Sequence, residues 1–238
     1  MKYVLITGAS GDIGIDILES ILLKTDLNAI AMCNKNSDRL IELNNKYNSR
    51  VEILKCDFKN QKQIEDAKSK LLKYNIHSAI FCAGISNIQM INKMSSKDIA
   101  DIINVNLQAP IELTTTVSDI MVRNKFGNII YISSMWGIDG ASCESVYSAS
   151  KAGLIAFSKA LSKELGPSNI CVNTISPGFI DTKMNLNLSE SDREDFIKEI
   201  PLMRAGKVSD ISNLVSYLIS DQARYISGAN IKVDGGFI

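Results

Sequence analysis

Two residues four apart, Tyr147 and Lys151, have the side chains most able to do chemistry in this 238-residue sequence. A free tyrosine titrates near ~10, too high for an effective acid–base group at neutral pH. A cation beside the phenolate lowers that value. The pair lies in a helical pattern, where positions four apart share a face, so the Lys151 ammonium can sit beside the Tyr147 phenol. Ser134, thirteen residues before Tyr147, ends an apolar run, and its hydroxyl there can hold a carbonyl oxygen. The three together suit proton delivery to a carbonyl oxygen, with a hydrogen bond where charge develops. On its own such a pair is more often a surface tyrosine and a solvated lysine, so its company decides.

That company begins near the first residue. An apolar run ends in Thr7-Gly8-Ala9-Ser10-Gly11-Asp12-Ile13-Gly14 and passes into a helical pattern. Glycines allow a tight turn and a close approach of backbone to a pyrophosphate. The helix that follows offers unpaired N–H groups and a positive dipole end. Gly8, Ser10, Asp12, Ile13 and Gly14 are therefore the candidate residues of a dinucleotide turn, and Asp12 is expected to cap the helix. The next apolar run ends in Cys33-Asn34-Lys35-Asn36-Ser37, with no acid before Asp38. Sites for NAD place an Asp or Glu there on the ribose 2′-hydroxyl. Asn34 and Lys35 instead suit a 2′-phosphate, which favours NADP(H) without excluding NAD(H). Lys35 as a solvated loop lysine is the competing reading.

These residues need elements to position them, and the sequence supplies an alternation. Strands are expected at Tyr3–Thr7, Asn28–Cys33, Val51–Cys56, Ser78–Cys82, Asn128–Ser133, Cys171–Ser176 and Asn230–Val233. They are rich in Ile and Val and mostly apolar on both faces, as buried parallel strands are. Helices are expected at Asp12–Lys24, Asp38–Tyr47, Gln61–Tyr74, Ser96–Asn124, Ser145–Leu165 and Val208–Ser220, with a helical excursion over Leu188–Met203. The expected fold is α/β: a single Rossmann-type domain over 1–238, its seven-stranded parallel sheet doubly wound and flanked by helices. Ligands in such folds lie at the carboxyl ends of the strands, where the candidate residues fall.

The order of these motifs resembles the short-chain dehydrogenase/reductase family over essentially the whole chain. The family's TGxxxGxG turn is present, with Asp12 at its middle glycine and an extra Gly11 before it. Ser134, Tyr147 and Lys151 match its catalytic spacing. Asn106, in Asn104-Val105-Asn106-Leu107, matches its fourth catalytic position, which the resemblance makes the holder of a water linking Lys151 to solvent. A helix-interior asparagine bonded to backbone is the other reading, and the two roles can coexist. The resemblance also places Asp57, with Phe58, near the adenine; Asp57 as a turn or capping aspartate competes. Ala83 and Gly84 keep the family's close approach to the cofactor, but Phe81-Cys82 replaces its two asparagines. Pro177-Gly178-Phe179-Ile180-Asp181-Thr182 matches the loop over the nicotinamide, where the Ile180 backbone and the Thr182 hydroxyl meet the carboxamide. The chain ends in the hallmark Val233-Asp234-Gly235-Gly236.

Within the family the chain looks most like the β-ketoacyl-ACP reductases. The resemblance implies an NADPH-dependent reductase of a 3-oxoacyl-thioester-like ketone and a homotetramer built on the long helices of the catalytic region. Trp136-Gly137, Gly140-Ala141-Ser142-Cys143-Glu144 and Asp181-Thr182-Lys183-Met184-Asn185 look locally like the branch that reduces a ketone carried on a lysine of elongation factor P. That likeness has Trp136 lining the substrate cleft, and a substrate lid is expected around 180–204. A non-catalytic NADP(H) sensor or scaffold is the reading from another class, against which the complete set Asn106, Ser134, Tyr147 and Lys151 argues.

Composition removes other classes. Lysine plus arginine and aspartate plus glutamate number 26 each, which gives no electrostatic case for a nucleic-acid or membrane partner. The five cysteines form no CxxC pair, and His77 is the only histidine, so no metal site is expected. Free thiols and a strand pattern beginning at Lys2, with no signal peptide, predict a cytoplasmic protein.

Overall fold

A computed structural model describes residues 1–183 and 189–238. Seven parallel strands form one sheet: β1 (Tyr3–Thr7), β2 (Asn28–Cys33), β3 (Val51–Lys55), β4 (Ile76–Phe81), β5 (Gly127–Ile132), β6 (Ile170–Pro177) and β7 (Asn230–Val233), in the order β3-β2-β1-β4-β5-β6-β7. Every residue of β5 and β6 is buried, which is why these runs read as apolar on both faces. The helices are α1 (Asp12–Lys24), α2 (Asp38–Lys46), α3 (Gln61–Leu71), α4 (Ser96–Ile103), α5 (Ala109–Asn124), α6 (Ser145–Leu165), α7 (Glu190–Glu199) and α8 (Val208–Leu218).

Two apolar cores result, one on each face of the sheet. On one face α1, through Ile17, Leu18 and Ile21, packs with Ile211 and Val215 of α8. On the other, Leu113 and Val117 of α5, Leu154 of α6 and Ile64 of α3 cover Leu5, Ala79 and Ile129. The helices connect β1, β2 and β3 in one direction, and the chain then returns to place β4 on the other side of β1. That reversal leaves a crevice beyond the carboxyl ends of β1 and β4, where ligands bind in such sheets. Thr7-Gly8 and Ala83-Gly84 lie there.

The strand expectations agree with the sheet to within two residues at the ends. β4 starts at Ile76 because Tyr3 pairs with Ile76 and Val4 with Ser78, which leaves His77 as a bulge. The long helix expected over Ser96–Asn124 is corrected: a π-helical turn at Asn104–Gln108 separates α4 from α5. The helical excursion expected over Leu188–Met203 is α7, shorter at both ends; Leu188 itself, with Met184 and Asn185, lies outside the described residues.

Candidate active site

Ser134 lies two residues beyond the end of β5, and its hydroxyl accepts the Trp136 N–H at 3.1 Å, which turns the chain into a short 3-10 helix (Met135–Gly137). Tyr147 and Lys151 occupy the first two turns of α6, 8% and 3% exposed. Their helix is tied to the end of β5 by the Ser133 hydroxyl, which donates to the Lys151 carbonyl at 2.9 Å. The Tyr147 phenol hydrogen-bonds Ser134. The Lys151 Nζ donates to the Ile132 carbonyl at 2.8 Å and lies 5.7 Å from the centre of the Tyr147 ring.

Asn106 is fully buried within the π-helical turn. Its Oδ1 accepts the Ile85 N–H at 2.8 Å, and its Nδ2 donates to the Ile85 carbonyl at 2.9 Å and to Ser150 Oγ at 3.1 Å. The bonded-asparagine reading is thus part of its role: Asn106 clamps the strand end that carries Ala83 and Gly84. A Cβ on Gly84 would lie 3.2 Å from Lys151 Nζ and 3.6 Å from Asn106 Oδ1. The missing side chain at Gly84 keeps the space beside the ammonium open. Ser134, Tyr147, Lys151 and Asn106 therefore converge on one end of the sheet.

Burial dominates the electrostatics. It pushes the Tyr147 phenol up to about 12, and the Ser134 hydrogen bond only partly opposes this. It pushes the Lys151 ammonium down to about 8. In the protein alone, desolvation thus outweighs whatever lowering of the phenol Lys151 supplies. Cys82, beside Lys151, is raised to about 11 by burial against the pull of that ammonium.

The glycine-rich turn has the form a dinucleotide needs. Gly8 adopts φ +65°, and a Cβ there would lie 2.7 Å from Ala83 Cα, so the segments just after β1 and β4 can approach this closely only with glycine at position 8. Gly11, not Asp12, holds the cap position of α1 and brings no side chain to it, leaving the first-turn N–H groups open to an anion. The capping role expected of Asp12 is thus corrected. Its Oδ1 accepts from Arg39 at 2.8 Å and its Oδ2 from the Lys183 N–H at 2.8 Å, so both carboxylate oxygens are engaged away from the α1 backbone N–H groups. Ser10 and Ile13 are partly exposed along the same turn, and Gly14 is buried.

Asn34 and Lys35 are exposed after β2, and Lys35 makes no ion pair among the described residues. The Asp57 carboxylate takes the Lys59 N–H at 3.0 Å, while Asn60 caps α3; Asp57 is a turn aspartate and not the cap. Phe58 is 7% exposed in the core, so only its backbone can face a ligand. The change to Phe81-Cys82 does not disturb the strand end, because Thr7 Oγ1 accepts the N–H groups of both Cys82 (3.1 Å) and Ala83 (3.2 Å). Pro177 ends β6, and Gly178 donates its N–H to the Val233 carbonyl at 3.0 Å. Ile180 is buried and bridges to Gly206, and the Thr182 hydroxyl turns back on the Ile180 carbonyl at 3.4 Å.

Several contacts were not foreseen. Phe196 of α7 stacks on Phe237 at 5.0 Å, packs against Phe179 at 4.9 Å and meets Trp136 edge-on at 6.2 Å, so α7 is seated on aromatic rings, one of them two residues after Ser134. Thr7 and Arg39 also escaped notice. Arg39 had a usable signal: a cation in the first turn of a helix opposes the macrodipole and calls for a nearby acid.

Comparison with known proteins agrees with this arrangement. The family model described as enoyl-(acyl carrier protein) reductase matches residues 25–238. A 3-oxoacyl-[acyl-carrier-protein] reductase, FabG, of Rickettsia felis is 37% identical over 238 residues, covering 100% of this chain and 97% of that protein. YmfI of Bacillus subtilis, described as an uncharacterized oxidoreductase, is 33% identical over 240 residues, covering 99% and 98%. The structure of 4-hydroxyisoleucine dehydrogenase complexed with NADH superposes with a TM-score of 0.91 at 31% identity, covering 100% of this chain and 98% of that one. From the sheet order, the glycine turn and these relatives, the chain belongs to the short-chain dehydrogenase/reductase family of oxidoreductases.

Proposed function

We propose that the protein is an NADPH-dependent reductase of a 3-oxoacyl-thioester-like ketone, with Asn106, Ser134, Tyr147 and Lys151 as its catalytic residues. The observation that carries this reading is the convergence of Ser134, Tyr147 and Lys151 beside the open space at Gly84. Bound nicotinamide would supply the hydride to the ketone carbon. Ser134 holds the carbonyl oxygen, and Tyr147 gives it the proton that completes the alcohol. Lys151 supplies positive charge that favours the resulting phenolate and binds the nicotinamide ribose, and Asn106 holds the water through which the proton is replaced. Gly8, Ser10, Ile13 and Gly14 take the pyrophosphate, together with the backbone of Asp12. Asp57 and the Phe58 backbone lie at the adenine, Ala83 and Gly84 beneath the ribose, and Pro177, Gly178, Ile180 and Thr182 at the carboxamide.

The similar structure was solved with NADH, which supports a nicotinamide cofactor. The phosphorylated form is favoured here because Asn34 and Lys35 stand where NAD sites carry an acid. The similar FabG proteins favour a carrier-linked ketone. The local likeness around Trp136-Gly137 and Gly140-Ala141-Ser142-Cys143-Glu144 keeps a second carrier in play, a lysine of elongation factor P bearing the ketone.

The test is NADPH consumption with an acetoacetyl thioester, run in parallel with NADH and with modified elongation factor P. Turnover favouring NADPH with the thioester supports the first reading; turnover only with the modified protein supports the second. Tight NADPH binding without turnover on either substrate would leave a sensor or scaffold.

A further inference from the structure

Asp12 stands where the family turn has glycine, and its carboxylate joins three segments that are distant in sequence. It starts α1 immediately after the pyrophosphate turn. One oxygen holds the guanidinium of Arg39, in the first turn of α2, at 2.8 Å; the other holds the backbone N–H of Lys183, one residue beyond Thr182, also at 2.8 Å. Burial would raise this carboxyl, yet the Lys183 N–H and the Arg39 guanidinium outweigh it and leave it below its ordinary value. The acid is therefore ionised and doubly engaged, at the edge of a cleft between α1 and α2 that Asp181 and Val208 also line.

We infer that Asp12 is a positioning residue for the dinucleotide: it pins the segment after the nicotinamide loop through the Lys183 N–H, while Arg39 neutralises its charge beside the pyrophosphate. The inference rests on the cofactor groove proposed above. A glycine at this position leaves Lys183 without its acceptor. Ile180 is fixed on its other side by the Asp181 N–H to the Gly206 carbonyl and the Gly206 N–H to the Phe179 carbonyl, both 2.8 Å. Asp12 thus secures the far end of a loop whose near end the sheet already holds. Arg39 explains how a carboxylate is tolerated there, since an uncompensated charge would repel the phosphates.

The experiment is fluorescence titration of NADPH and NADH into the full-length protein and its Asp12→Ala, Asp12→Asn and Arg39→Ala variants. Trypsin cleavage after Lys183 and thermal melting are followed on the same samples. Losing a charge-assisted hydrogen bond predicts binding of both nucleotides about tenfold weaker in Asp12→Ala, with cleavage at Lys183 severalfold faster. Asp12→Asn keeps an acceptor for the Lys183 N–H and stays within about twofold of the parent on both readouts. Arg39→Ala weakens both nucleotides alike, because it exposes the carboxylate to the shared pyrophosphate. Tighter binding by both Asp12 variants, or earlier melting with affinity and cleavage unchanged, overturns the inference. An Arg39→Ala loss confined to NADPH overturns the neutralising role. A parent protein that binds neither nucleotide defeats the groove itself and is read apart from these outcomes.

Discussion

At the scale of single residues, the site pairs a phenol that burial makes a weak acid with an amine that burial makes a weak base. A phenol near 12 keeps its proton throughout the working range, so it is stocked for donation but reluctant to release. The cation must therefore be present when the phenolate forms. Lys151 holds its proton below about 8 and loses it above, so reductase kcat/KM is expected to fall as pH rises through about 8. A pH profile of the parent protein checks this; a flat profile to pH 10 removes Lys151 from the acid–base step. Tyr147→Phe keeps the ring in its packing and deletes the donor. Its turnover is expected to drop about 10²–10⁴-fold, with NADPH binding nearly unchanged. Near-normal turnover would remove Tyr147 as the acid. The spacing of Ser134, Tyr147 and Lys151 was legible because Tyr147 and Lys151 share a helix whose period fixes their common face, and Ser134 lies just past the end of a clearly apolar strand. The bonds of Asp12 were not: its partners are 27 and 171 residues away, and only tertiary packing brings them together.

At the scale of elements, the strands were legible because β5 and β6 are buried on both faces and built around Ile and Val, even though β6 also buries Asn173, Thr174 and Ser176. The π-helical turn at Asn104–Gln108 was not, since its extra residue leaves the apolar pattern of the flanking helices almost continuous. That turn matters because it carries Asn106 to the loop after β4, at Ile85, and leaves Val105 in the core. Asn106→Ala removes the clamp on both polar groups of the Ile85 backbone and leaves them in a partly buried loop. It is expected to cost about 1–3 kcal/mol in a denaturant melt, together with a loss of turnover. Turnover lost with stability intact would assign Asn106 to the proton path alone; stability lost with turnover intact would make it a clamp alone. Helix α7 follows a different logic. Its one ring, Phe196, sits on Phe179, Phe237 and Trp136 beside the proposed substrate site and outside both apolar cores of the sheet. Phe196→Ala is therefore expected to raise the KM for the ketone severalfold while the melting temperature moves by little; a large drop in melting temperature would place those rings in the fold's own core.

At the scale of the whole molecule, the proposed cofactor groove runs along the carboxyl ends of strands on both sides of the sheet reversal, from the loop after β2 to the loop after β6. A ligand lying across that edge touches segments that the unfolded chain holds far apart, so it binds the native state alone and stabilises it by mass action. At a concentration a hundred times its dissociation constant, such a ligand adds about 2.7 kcal/mol. For a chain of this length that corresponds to a rise of about 5–10 °C in melting temperature. NADPH is expected to give that rise and NADH, at equal concentration, a smaller one, because only the former brings a phosphate to Lys35. The contrast isolates the 2′ position: both nucleotides share the pyrophosphate and nicotinamide contacts, so any difference arises at the loop after β2. Lys35→Glu should reverse the order, placing on the 2′-hydroxyl the acid that NAD sites carry and repelling the phosphate. Equal shifts in the parent protein, unchanged in the variant, would mean that Lys35 is only a solvated lysine and that selectivity is set elsewhere in the groove.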